Sequence, residues 1–456
     1  MASKLFGTDG IRGIANRYPM TAEIALQCGR AVAHHFRGRS KRVDKQTVIL
    51  IGKDTRRSSY MIEQALAAGI TSQGAKALLV GPMPTPGVAF LTTSMRADAG
   101  IMVSASHNTY EYNGIKIFGH DGYKLPDDVE LEIERLILSA ELADSLPTGA
   151  QLGKAKRIDD AMGRYVVHAK NIFPLGHDLR GMRIVLDCAH GAAYKFAPLV
   201  LEELGAEVIV LANSPDGTNI NHESGALHPQ PMIEAVKRYR ADLGLALDGD
   251  ADRLCLVDDE GQVVDGDHIM AILAADFAER GVLAKRTVVA TPMSNMGLEI
   301  ALRGKGLELV HAGIGDRAVV DLMRKQGYNL GGEQSGHILL LDHTSTGDGV
   351  VAGLAVMAVM RRTGKPLSEL QKIMSIVPQV LRNVRVAKKM PLEEIADVKK
   401  LMDKAKSTLG DRGRLLVRYS GTEPLCRVMI EGEDEAVIHS LADEIAGSIQ
   451  KSLGQG

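Results

Sequence analysis

The chain has 456 residues, of which 45% are hydrophobic and 24% are charged, a composition that excludes a disordered or collagen-like chain. The 54 basic and 56 acidic side chains give a formal charge of -2, so there is no global basic field to hold nucleic acid or an anionic membrane. Aromatic residues make up 4% of the chain and tryptophan is absent, so surfaces that stack on bases or sugar rings are scarce. We expect a substrate that is held by polar and charged groups.

The cysteines and the apolar runs bear on where the protein works. The four cysteines form no CxxC pair, which favours neither a disulfide framework nor a zinc site. The amino end reaches Gly and Asp before a secretory apolar segment forms. The longest apolar run, 350–360, is shorter than the roughly 18 residues of a membrane span and predicts a buried helix that begins after Gly349. We expect a soluble cytoplasmic protein.

Three stretches of the chain repeat one order of elements: an apolar strand, a polar or glycine-containing turn, a helix and a second apolar strand. The strand pairs are predicted at 47–52 and 77–81, at 182–187 and 206–211, and at 286–290 and 307–311. The helices between them are predicted at 60–73, 194–204 and 296–304. Such units form largely parallel sheets whose ligands gather beyond the carboxyl ends of the strands.

The last part of the chain has a different pattern. Predicted strands at 377–386 and 414–419 alternate with amphipathic helices at 391–409 and 434–453, which is typical of an α+β domain. We therefore predict three similar α/β domains with mixed, largely parallel sheets, followed by a smaller C-terminal α+β domain. The predicted domains are 1–155, 156–256, 257–371 and 372–456.

An acidic loop carries the most informative pattern. The sequence DGDADR places Asp248, Asp250 and Asp252 between strand-like runs at 243–247 and 254–257. Three carboxylates in a short loop repel one another unless a cation compensates them, and oxygen ligands suit Mg²⁺, Ca²⁺ or Mn²⁺. Arg253 stands where an EF-hand loop needs Gly, which excludes that calcium site. Two alternatives stay open: a solvated acidic turn, and an aspartyl nucleophile with a neighbouring acid/base, as in haloacid-dehalogenase-type phosphotransferases.

A second loop, SASHN at 104–108, follows the apolar run 99–103, with Lys116 close behind in NGIK. A serine hydroxyl is a weak nucleophile unless a base, a metal or a stored phosphoryl group changes its chemistry. His107 taken alone is more often a structural histidine than a catalytic one.

Three further motifs offer hydrogen-bonding and anion-binding groups. The loop GGEQSGH at 331–337 carries Glu, Ser and His side chains that can read sugar hydroxyls. The loop RYSGTEPLCR at 418–427 joins two arginines, two hydroxyls and backbone N–H groups, which suits a phosphate monoester. At the amino end, GTDGIRG and GKDTR add Arg12 and Arg56 to a candidate anion site. Each of these loops taken singly is also compatible with a plain turn.

Taken together and in this order, GTDGIRG, SASHN with NGIK, DGDADR, GEQSGH and RYSGTEP resemble the α-D-phosphohexomutase superfamily over nearly the whole chain. The resemblance implies four domains around a central cleft. GTDGIRG and GGEQSGH are most similar to the branch that acts on glucosamine phosphates. Thr109 and Tyr419 depart from the superfamily pattern, which usually has Pro at both positions.

The resemblance implies a phosphoserine enzyme. By motif position, Ser106 carries the phosphoryl group, and the three acidic-loop aspartates hold Mg²⁺ together with an oxygen of that group. Lys116 and His337 then move protons on and off sugar hydroxyls. Arg12 and Arg253 stabilise charge on the transferring group. Two residues are implied to read the sugar, Glu333 and Ser335. The implied clamp on the non-reacting phosphate comprises Arg418, Ser420, Gly421, Thr422 and Arg427.

The implied reaction interconverts the 6- and 1-phosphates of glucosamine through a 1,6-bisphosphate, with a hexose 1,6-bisphosphate as activator. Three alternatives remain: the same chemistry on mannose or glucose phosphates, an aspartyl-nucleophile sugar phosphatase, and a catalytically silent phosphosugar-binding protein. The expected partner is a small phosphosugar, and the resemblance also allows a homodimer.

Overall fold

A computed structural model describes residues 5–7, 9–38, 46–139, 141–420 and 424–454. Within these ranges the strands form four sheets, each built from its own stretch of the chain. The first three sheets are mixed and carry helices against them, whereas the fourth is antiparallel. The predicted fold class is thereby confirmed, with parallel pairs on one side of each of the first three sheets and antiparallel pairs on the other.

Unit I, residues 5–157, contains the first sheet. Its strands are β1 (Phe6–Gly7), β2 (Gly10–Ile14), β3 (Val48–Lys53), β4 (Lys76–Pro82), β5 (Ala99–Val103), β6 (Tyr112–Gly119) and β7 (Ala155–Arg157). Its helices are α1 (Ala22–Phe36), α2 (Arg57–Ser72), α3 (Thr85–Ser94) and α4 (Asp127–Ser139), with 3-10 turns at Glu141–Ser145 and Gly149–Gln151. The strand order is β1-β2-β6-β5-β3-β4-β7. Every residue of β3 is buried, as expected of a strand that is covered on both faces.

Unit II, residues 161–264, contains the second sheet. Its helices are α5 (Ala161–Lys170), α6 (Phe196–Glu203) and α7 (Gln230–Tyr239). Its strands are β8 (Arg183–Asp187), β9 (Glu207–Leu211), β10 (Leu243–Leu247), β11 (Leu254–Asp258) and β12 (Val263–Val264), in the order β12-β11-β10-β8-β9. β10 pairs in parallel with β8 and antiparallel with β11, so the acidic loop is the turn of a hairpin.

Unit III, residues 266–373, contains the third sheet, in the order β14-β13-β15-β16. Its strands are β13 (Thr287–Ala290), β14 (Glu308–His311), β15 (Leu330–Gly332) and β16 (Ile338–Leu340). Its helices are α8 (Gly266–Glu279), α9 (Met296–Gly304), α10 (Asp316–Gln326), α11 (Gly349–Thr363) and α12 (Leu367–Leu370), with 3-10 turns at Ala284–Arg286 and Gln371–Ile373. The predicted buried helix is α11, which begins at Gly349 because the Asp348 carboxylate accepts hydrogen bonds from Val350 N and Val351 N.

Unit IV, residues 379–453, contains the antiparallel sheet β17-β19-β18. Its strands are β17 (Gln379–Arg385), β18 (Gly413–Tyr419) and β19 (Leu425–Gly432). Its helices are α13 (Ala396–Leu409) and α14 (Glu435–Leu453), with 3-10 turns at Leu392–Glu394 and Gly410–Arg412.

Two short strands lie at the predicted domain boundaries. β7 pairs with β4, so the first sheet continues to Arg157, and β12 pairs with β11, so the second continues to Val264. Sequence patterns miss β7 because its three residues are exposed and lack an apolar period. The exact domain boundaries stay a prediction.

A continuous apolar core runs through units I, II and III. It includes Leu50 of β3, Leu245 of β10 and Leu354 of α11, none of which is exposed. Unit IV has its own core, which includes Val398 of α13 and Ile430 of β19. None of the described helices is both long and apolar enough to cross a membrane.

Polar contacts join unit IV to unit III. Arg414 Nη2 donates to Ser294 O over 2.6 Å, and Asn295 Nδ2 donates to the buried carboxylate of Glu431 over 3.2 Å. Unit IV is therefore held by directional contacts at its edge, while its apolar residues pack on one another.

A buried hydrogen bond links units II and III and gives a first testable prediction. The Tyr165 hydroxyl donates to Asp348, and Tyr165 is fully buried with its ring stacked on Phe196, 4.2 Å between centroids. Burial raises the pKa of Asp348 to about 6, so this carboxyl is ionised at about pH 8 and mostly protonated at about pH 4.5. We expect Tyr165→Phe to lower the free energy of unfolding by about 1–3 kcal/mol at about pH 8, because Oδ2 of a buried carboxylate loses the donor that Tyr165 provides.

That loss should shrink towards acid pH. Without the donor the folded-state pKa of Asp348 rises further above its unfolded value, and a carboxyl with a raised pKa favours the folded state as the pH falls through that pKa. Urea unfolding at both pH values measures the effect, with Tyr239→Phe on an exposed tyrosine as the control. An equal loss at about pH 8 and about pH 4.5 would contradict the role assigned to the Asp348 charge.

Candidate active site

The acidic loop lies at the centre of the site. The strands on either side of it, β10 and β11, are fully buried and pair Leu247 with Leu254, so the loop is pinned at both ends. Asp248, Asp250 and Asp252 are all buried, and one carboxylate oxygen from each lies within 4.8 Å of the others. The tertiary structure thus gathers the three predicted metal ligands into one cluster.

The carboxylates of this cluster repel one another. Burial raises the pKa of Asp248 to about 8, and repulsion from Asp252 and Asp250 adds to the shift. Among the described residues, Asp250 Oδ1 and Asp252 Oδ1 are buried oxygens that have no hydrogen-bond partner. A buried carboxylate oxygen without a partner is costly, and a hard divalent cation binds to oxygen ligands of this kind. The three aspartates therefore fit Mg²⁺.

Ser106 meets this cluster from unit I. It lies in the loop after β5, and its Oγ donates a hydrogen bond to Asp248 Oδ2 over 2.7 Å. His107 Nδ1 is 3.3 Å from the same hydroxyl oxygen, and burial, followed by the charges of nearby arginines, lowers the pKa of His107 to about 4. The close approach requires Gly249, because a Cβ there would lie 2.6 Å from Ser106 O. The hydroxyl thus sits between a carboxyl group and a neutral imidazole.

Lys116 also reaches the aspartates. It lies on β6 with its Nζ 3.0 Å from Asp250 Oδ2, 3.4 Å from Asp252 Oδ2 and 3.3 Å from Asp9 Oδ2. Burial acts to lower the pKa of Lys116, but the three carboxylates outweigh it and raise that pKa well above its ordinary value. Lys116 is therefore an ammonium group in this cluster.

His337 reaches the cluster from unit III. Its Nδ1 is 3.8 Å from Asp252 Oδ1 and its Nε2 is 3.8 Å from Asp316 Oδ2. Burial acts to lower the pKa of His337, but the carboxylates of Asp252, Asp316 and Glu333 raise it by more, so the pKa lies above its ordinary value. Gly347 N donates to His337 Nε2 over 3.2 Å, so the ring proton lies on Nδ1, the nitrogen that faces Asp252.

The two predicted transition-state arginines border the cluster and keep part of their side chains exposed, 30% for Arg12 and 24% for Arg253. Arg12 donates to Asp9 Oδ2 over 3.0 Å and to Asn108 Oδ1 over 3.3 Å. Arg253 Nε lies 4.0 Å from Asp252 Oδ1. Both guanidinium groups can therefore meet an anion that enters beside the serine loop.

The predicted sugar-reading loop connects β15 and β16. Ser335 is exposed and Glu333 is half-buried, with Ser335 Oγ 3.5 Å from Glu333 Oε2. The loop packs on the first residue of β11, since Leu254 N donates to Gly336 O over 3.1 Å and a Cβ at Gly336 would lie 1.8 Å from Leu254 O. This contact places the two open polar side chains next to the acidic hairpin.

The predicted phosphate clamp lies in unit IV. Arg418 of β18 and Arg427 of β19 are directly paired, and burial followed by the charge of Arg427 lowers the pKa of Arg418. Ser420 is buried and its N–H donates to Leu425 O over 2.8 Å. Two guanidinium groups side by side favour an anion between them. The other two predicted members, Gly421 and Thr422, lie outside the described residues.

Other functional residues were missed or misassigned by the sequence analysis. Asp9 binds Lys124 and Arg12 besides Lys116; burial acts to raise the pKa of Asp9, but these three cations bring it far below its usual range. Its place within GTDGIRG was an available signal. The expected anion-site role of Arg56 is wrong, because Arg56 has no exposed surface and pairs with Asp54.

Comparison with known proteins assigns this architecture. Domain descriptions of phosphoglucomutase/phosphomannomutase match in order: alpha/beta/alpha domain I at residues 3–144, domain II at 163–261, domain III at 265–376 and the C-terminal domain at 381–448. The chain belongs to the phosphoglucomutase/phosphomannomutase family. Phosphoglucosamine mutase of Syntrophotalea carbinolica is 58% identical over 454 residues, which cover 100% of this chain and 99% of that protein. This member of the family is therefore an isomerase.

Several solved structures share the fold. A phosphoglucomutase/phosphomannomutase family protein of Burkholderia thailandensis has a TM-score of 0.82 at 24% identity and covers 99% of this chain and 98% of its own. The N-acetylphosphoglucosamine mutase of Aspergillus fumigatus, in complex with GlcNAc-6P and magnesium, has a TM-score of 0.66 at 17% identity and covers 98% and 95%. A variant of that enzyme was solved with glucose 1,6-bisphosphate, with a TM-score of 0.65 at 16% identity and coverage of 100% and 97%.

Proposed function

We propose that the chain is a phosphoglucosamine mutase, which interconverts glucosamine 6-phosphate and glucosamine 1-phosphate through a phosphoserine at Ser106 and a 1,6-bisphosphate. The observation that carries this proposal is the 2.7 Å contact of Ser106 Oγ with Asp248 inside the buried aspartate cluster. A hydroxyl beside a cation site can store a phosphoryl group, and the relative at 58% identity carries this enzyme's name.

Asp248, Asp250 and Asp252 are the residues that would hold Mg²⁺, with Ser106 beside them. When bound, Mg²⁺ supplies positive charge next to the phosphoryl oxygens. The orphaned oxygens of Asp250 and Asp252 support this assignment, and so does the magnesium complex of the Aspergillus fumigatus neighbour.

The transfer itself is a substitution at phosphorus. A sugar hydroxyl oxygen attacks the phosphoryl group, the bond from phosphorus to Ser106 Oγ breaks, and the hydroxyl proton leaves the sugar. We propose that the neutral His337 ring takes the proton of the attacking hydroxyl while Lys116 Nζ gives a proton to Ser106 Oγ as its bond to phosphorus breaks, and that both protons return in the reverse step. The raised pKa of Lys116 supports its protonated starting state. Arg12 and Arg253 would stabilise the charge on the group in transit.

The second half of the cycle needs the sugar to present its other phosphate. Glu333 and Ser335 would hold sugar hydroxyls, and the paired Arg418 and Arg427 would hold the phosphate that does not react, together with Ser420. The proposed clamp also includes the loop residues outside the described ranges, Gly421 and Thr422. A hexose 1,6-bisphosphate would restore phosphoserine after loss of the intermediate, as the bisphosphate complex of the Aspergillus fumigatus neighbour suggests.

The surroundings of the enzyme follow from the same proposal. The four cysteines are unpaired and buried, which fits the reducing cytoplasm. The product would enter amino sugar metabolism and UDP-N-acetylglucosamine synthesis. We also propose four domains with boundaries near residues 155, 256 and 371. The protein would be either a monomer or a homodimer.

A comparison of kcat/KM for glucosamine, glucose and mannose 6-phosphates tests both the reaction and the substrate. Each assay contains Mg²⁺ and catalytic glucose 1,6-bisphosphate. We expect a preference for glucosamine 6-phosphate of about tenfold or more, equal to about 1.4 kcal/mol in transition-state binding. A preference for mannose or glucose phosphate would move the chain to the phosphomannomutase/phosphoglucomutase alternative. Release of inorganic phosphate without isomerisation would support the aspartyl-nucleophile phosphatase instead.

A further inference from the structure

The backbone of Ser106 is held in a conformation that serine seldom adopts. Its φ is +51°, in the left-handed region. A non-glycine residue in this region costs about 1–3 kcal/mol and persists only where its surroundings fix it. Glycine would relieve the strain but would remove the hydroxyl, so contacts from elsewhere in the chain have to hold this turn.

Two side chains hold the turn by donating to the same pair of carbonyl oxygens. Arg56 Nη2 donates to Ser106 O over 3.1 Å and also to Asn108 O. Asn221 Nδ2 donates to the same two oxygens, each over 2.9 Å. Both protons of the Asn221 amide are therefore committed to the serine loop. The two donors are buried, with 0% of Arg56 and 7% of Asn221 exposed.

The donors come from different parts of the fold. Arg56 precedes α2 in unit I, where it is bound by Asp54 and donates to Ser104 Oγ over 3.3 Å. Asn221 belongs to unit II and reaches across to the loop of unit I. The serine turn is therefore shaped by the contact between the two units as well as by its own unit.

A chain of hydrogen bonds fixes Asn221 to the second sheet. β8 ends at Asp187, whose carboxylate accepts from Ala189 N and Gly225 N, each over 2.9 Å. Ala189 O accepts from Asn221 N, also over 2.9 Å. Asn221 has a φ of +58°, a conformation that asparagine tolerates better than most residues. Its amide is thus placed by the sheet whose hairpin carries the aspartate cluster.

We propose that Asn221 is a positioning residue: it sets the direction of the Ser106 hydroxyl relative to the aspartate cluster across the contact between units I and II. This inference rests on the function proposed above for Ser106. The Asn221 amide binds backbone oxygens of the loop, so its contribution is to geometry. Without it the loop turns towards an unstrained φ, and Ser106 Oγ moves away from Asp248 Oδ2. A misplacement of about 1 Å at a reacting group costs about 100-fold in rate.

Asn221→Gly tests this role, because glycine lacks the amide and adopts a φ of +58° without strain. We expect kcat for glucosamine 6-phosphate to fall about 10–100-fold while KM stays within about twofold, since serine geometry changes and substrate binding does not. Phosphorylation of Ser106 by glucose 1,6-bisphosphate, followed by intact-protein mass spectrometry, should slow by a similar factor.

The matched control is Asn219→Gly in the same loop. The Asn219 side chain donates to Ser214 O over 3.1 Å and accepts from Asp216 N over 3.0 Å. This variant should keep kcat within about twofold of wild type. Asn221→Asp provides a second variant of nearly the same shape, whose added oxygen repels the two carbonyls, and it should show the same loss of kcat.

A kcat within about twofold of wild type in a folded Asn221 variant, or a loss carried by KM, would overturn the positioning role. Ser106→Ala separates this result from failure of the proposed function. If Ser106→Ala still turns over, the proposed function is wrong. If Ser106→Ala is inactive and Asn221→Gly keeps the wild-type kcat, only the positioning role of Asn221 is wrong.

Discussion

Ser106→Ala is expected to lower kcat for glucosamine 6-phosphate by about 10⁴-fold or more, because alanine has no oxygen to carry the phosphoryl group. The free energy of unfolding should stay within about 1–2 kcal/mol of wild type, since only the contacts of the hydroxyl with Asp248 and His107 are lost. A coupled assay for glucosamine 1-phosphate measures the rate, and urea unfolding measures the stability. Intact-protein mass spectrometry should show no phosphoryl uptake from glucose 1,6-bisphosphate.

Ser104→Ala is the matched comparison, two residues earlier in the same loop. Ser104 Oγ accepts from Ser106 N over 3.0 Å and lies behind the turn. This variant should turn over more slowly than wild type but should still isomerise the substrate and still take up a phosphoryl group. It keeps the Ser106 hydroxyl, which is the group that carries the phosphoryl group in the proposed reaction. If Ser106→Ala keeps more than about 1% of the wild-type kcat, the phosphoserine assignment fails.

Asp250→Asn is expected to raise the Mg²⁺ concentration for half-maximal activity about tenfold or more and to lower kcat as well. An amide keeps one coordinating oxygen but removes a full negative charge from the cluster. Asp250 is well suited to this test, because its Oδ1 has no hydrogen-bond partner among the described residues while its Oδ2 accepts from Thr85 Oγ1 over 2.5 Å. Isothermal titration with Mg²⁺ gives a reading that does not depend on turnover.

Asp258→Asn is the control for a buried charge change in the same unit. Asp258 ends β11 and accepts from Gln262 N over 2.7 Å, at the opposite end of β11 from the acidic loop. Its variant should leave the Mg²⁺ titration unchanged, although it lowers stability. If the Mg²⁺ titration of Asp250→Asn equals that of wild type, the acidic loop does not bind Mg²⁺ as proposed.

The order of elements could be predicted because long buried strands and helices leave clear periods in the sequence. The run at 243–247 and the helix at 296–304 were predicted with the bounds that β10 and α9 have. Short strands could not be found in this way. β7 is exposed and three residues long, and it is a strand only because β4 offers its edge.

The site was predictable to the extent that its residues lie in motifs. Ser106, the three aspartates, Lys116 and His337 were all named in advance, and the structure brings them together. Thr85 and Asn221 could not be named, because a single threonine at the start of a helix and a single asparagine in a loop belong to no motif that indicates a function. Arg56 was misassigned for a related reason: an arginine in sequence looks the same whether it faces an anion or is buried against Asp54.

The sequence by itself determined which chemical groups end the strands and the order in which they occur along the chain, because these depend on local residue types. Only the tertiary structure decided which groups meet and how they are charged. Ser106 and Asp248 are 142 positions apart, and their contact exists because units I and II pack strand end against strand end. The pKa of Asp248 near 8 and the raised pKa of His337 likewise depend on burial and on carboxylates from other loops, which no local pattern contains.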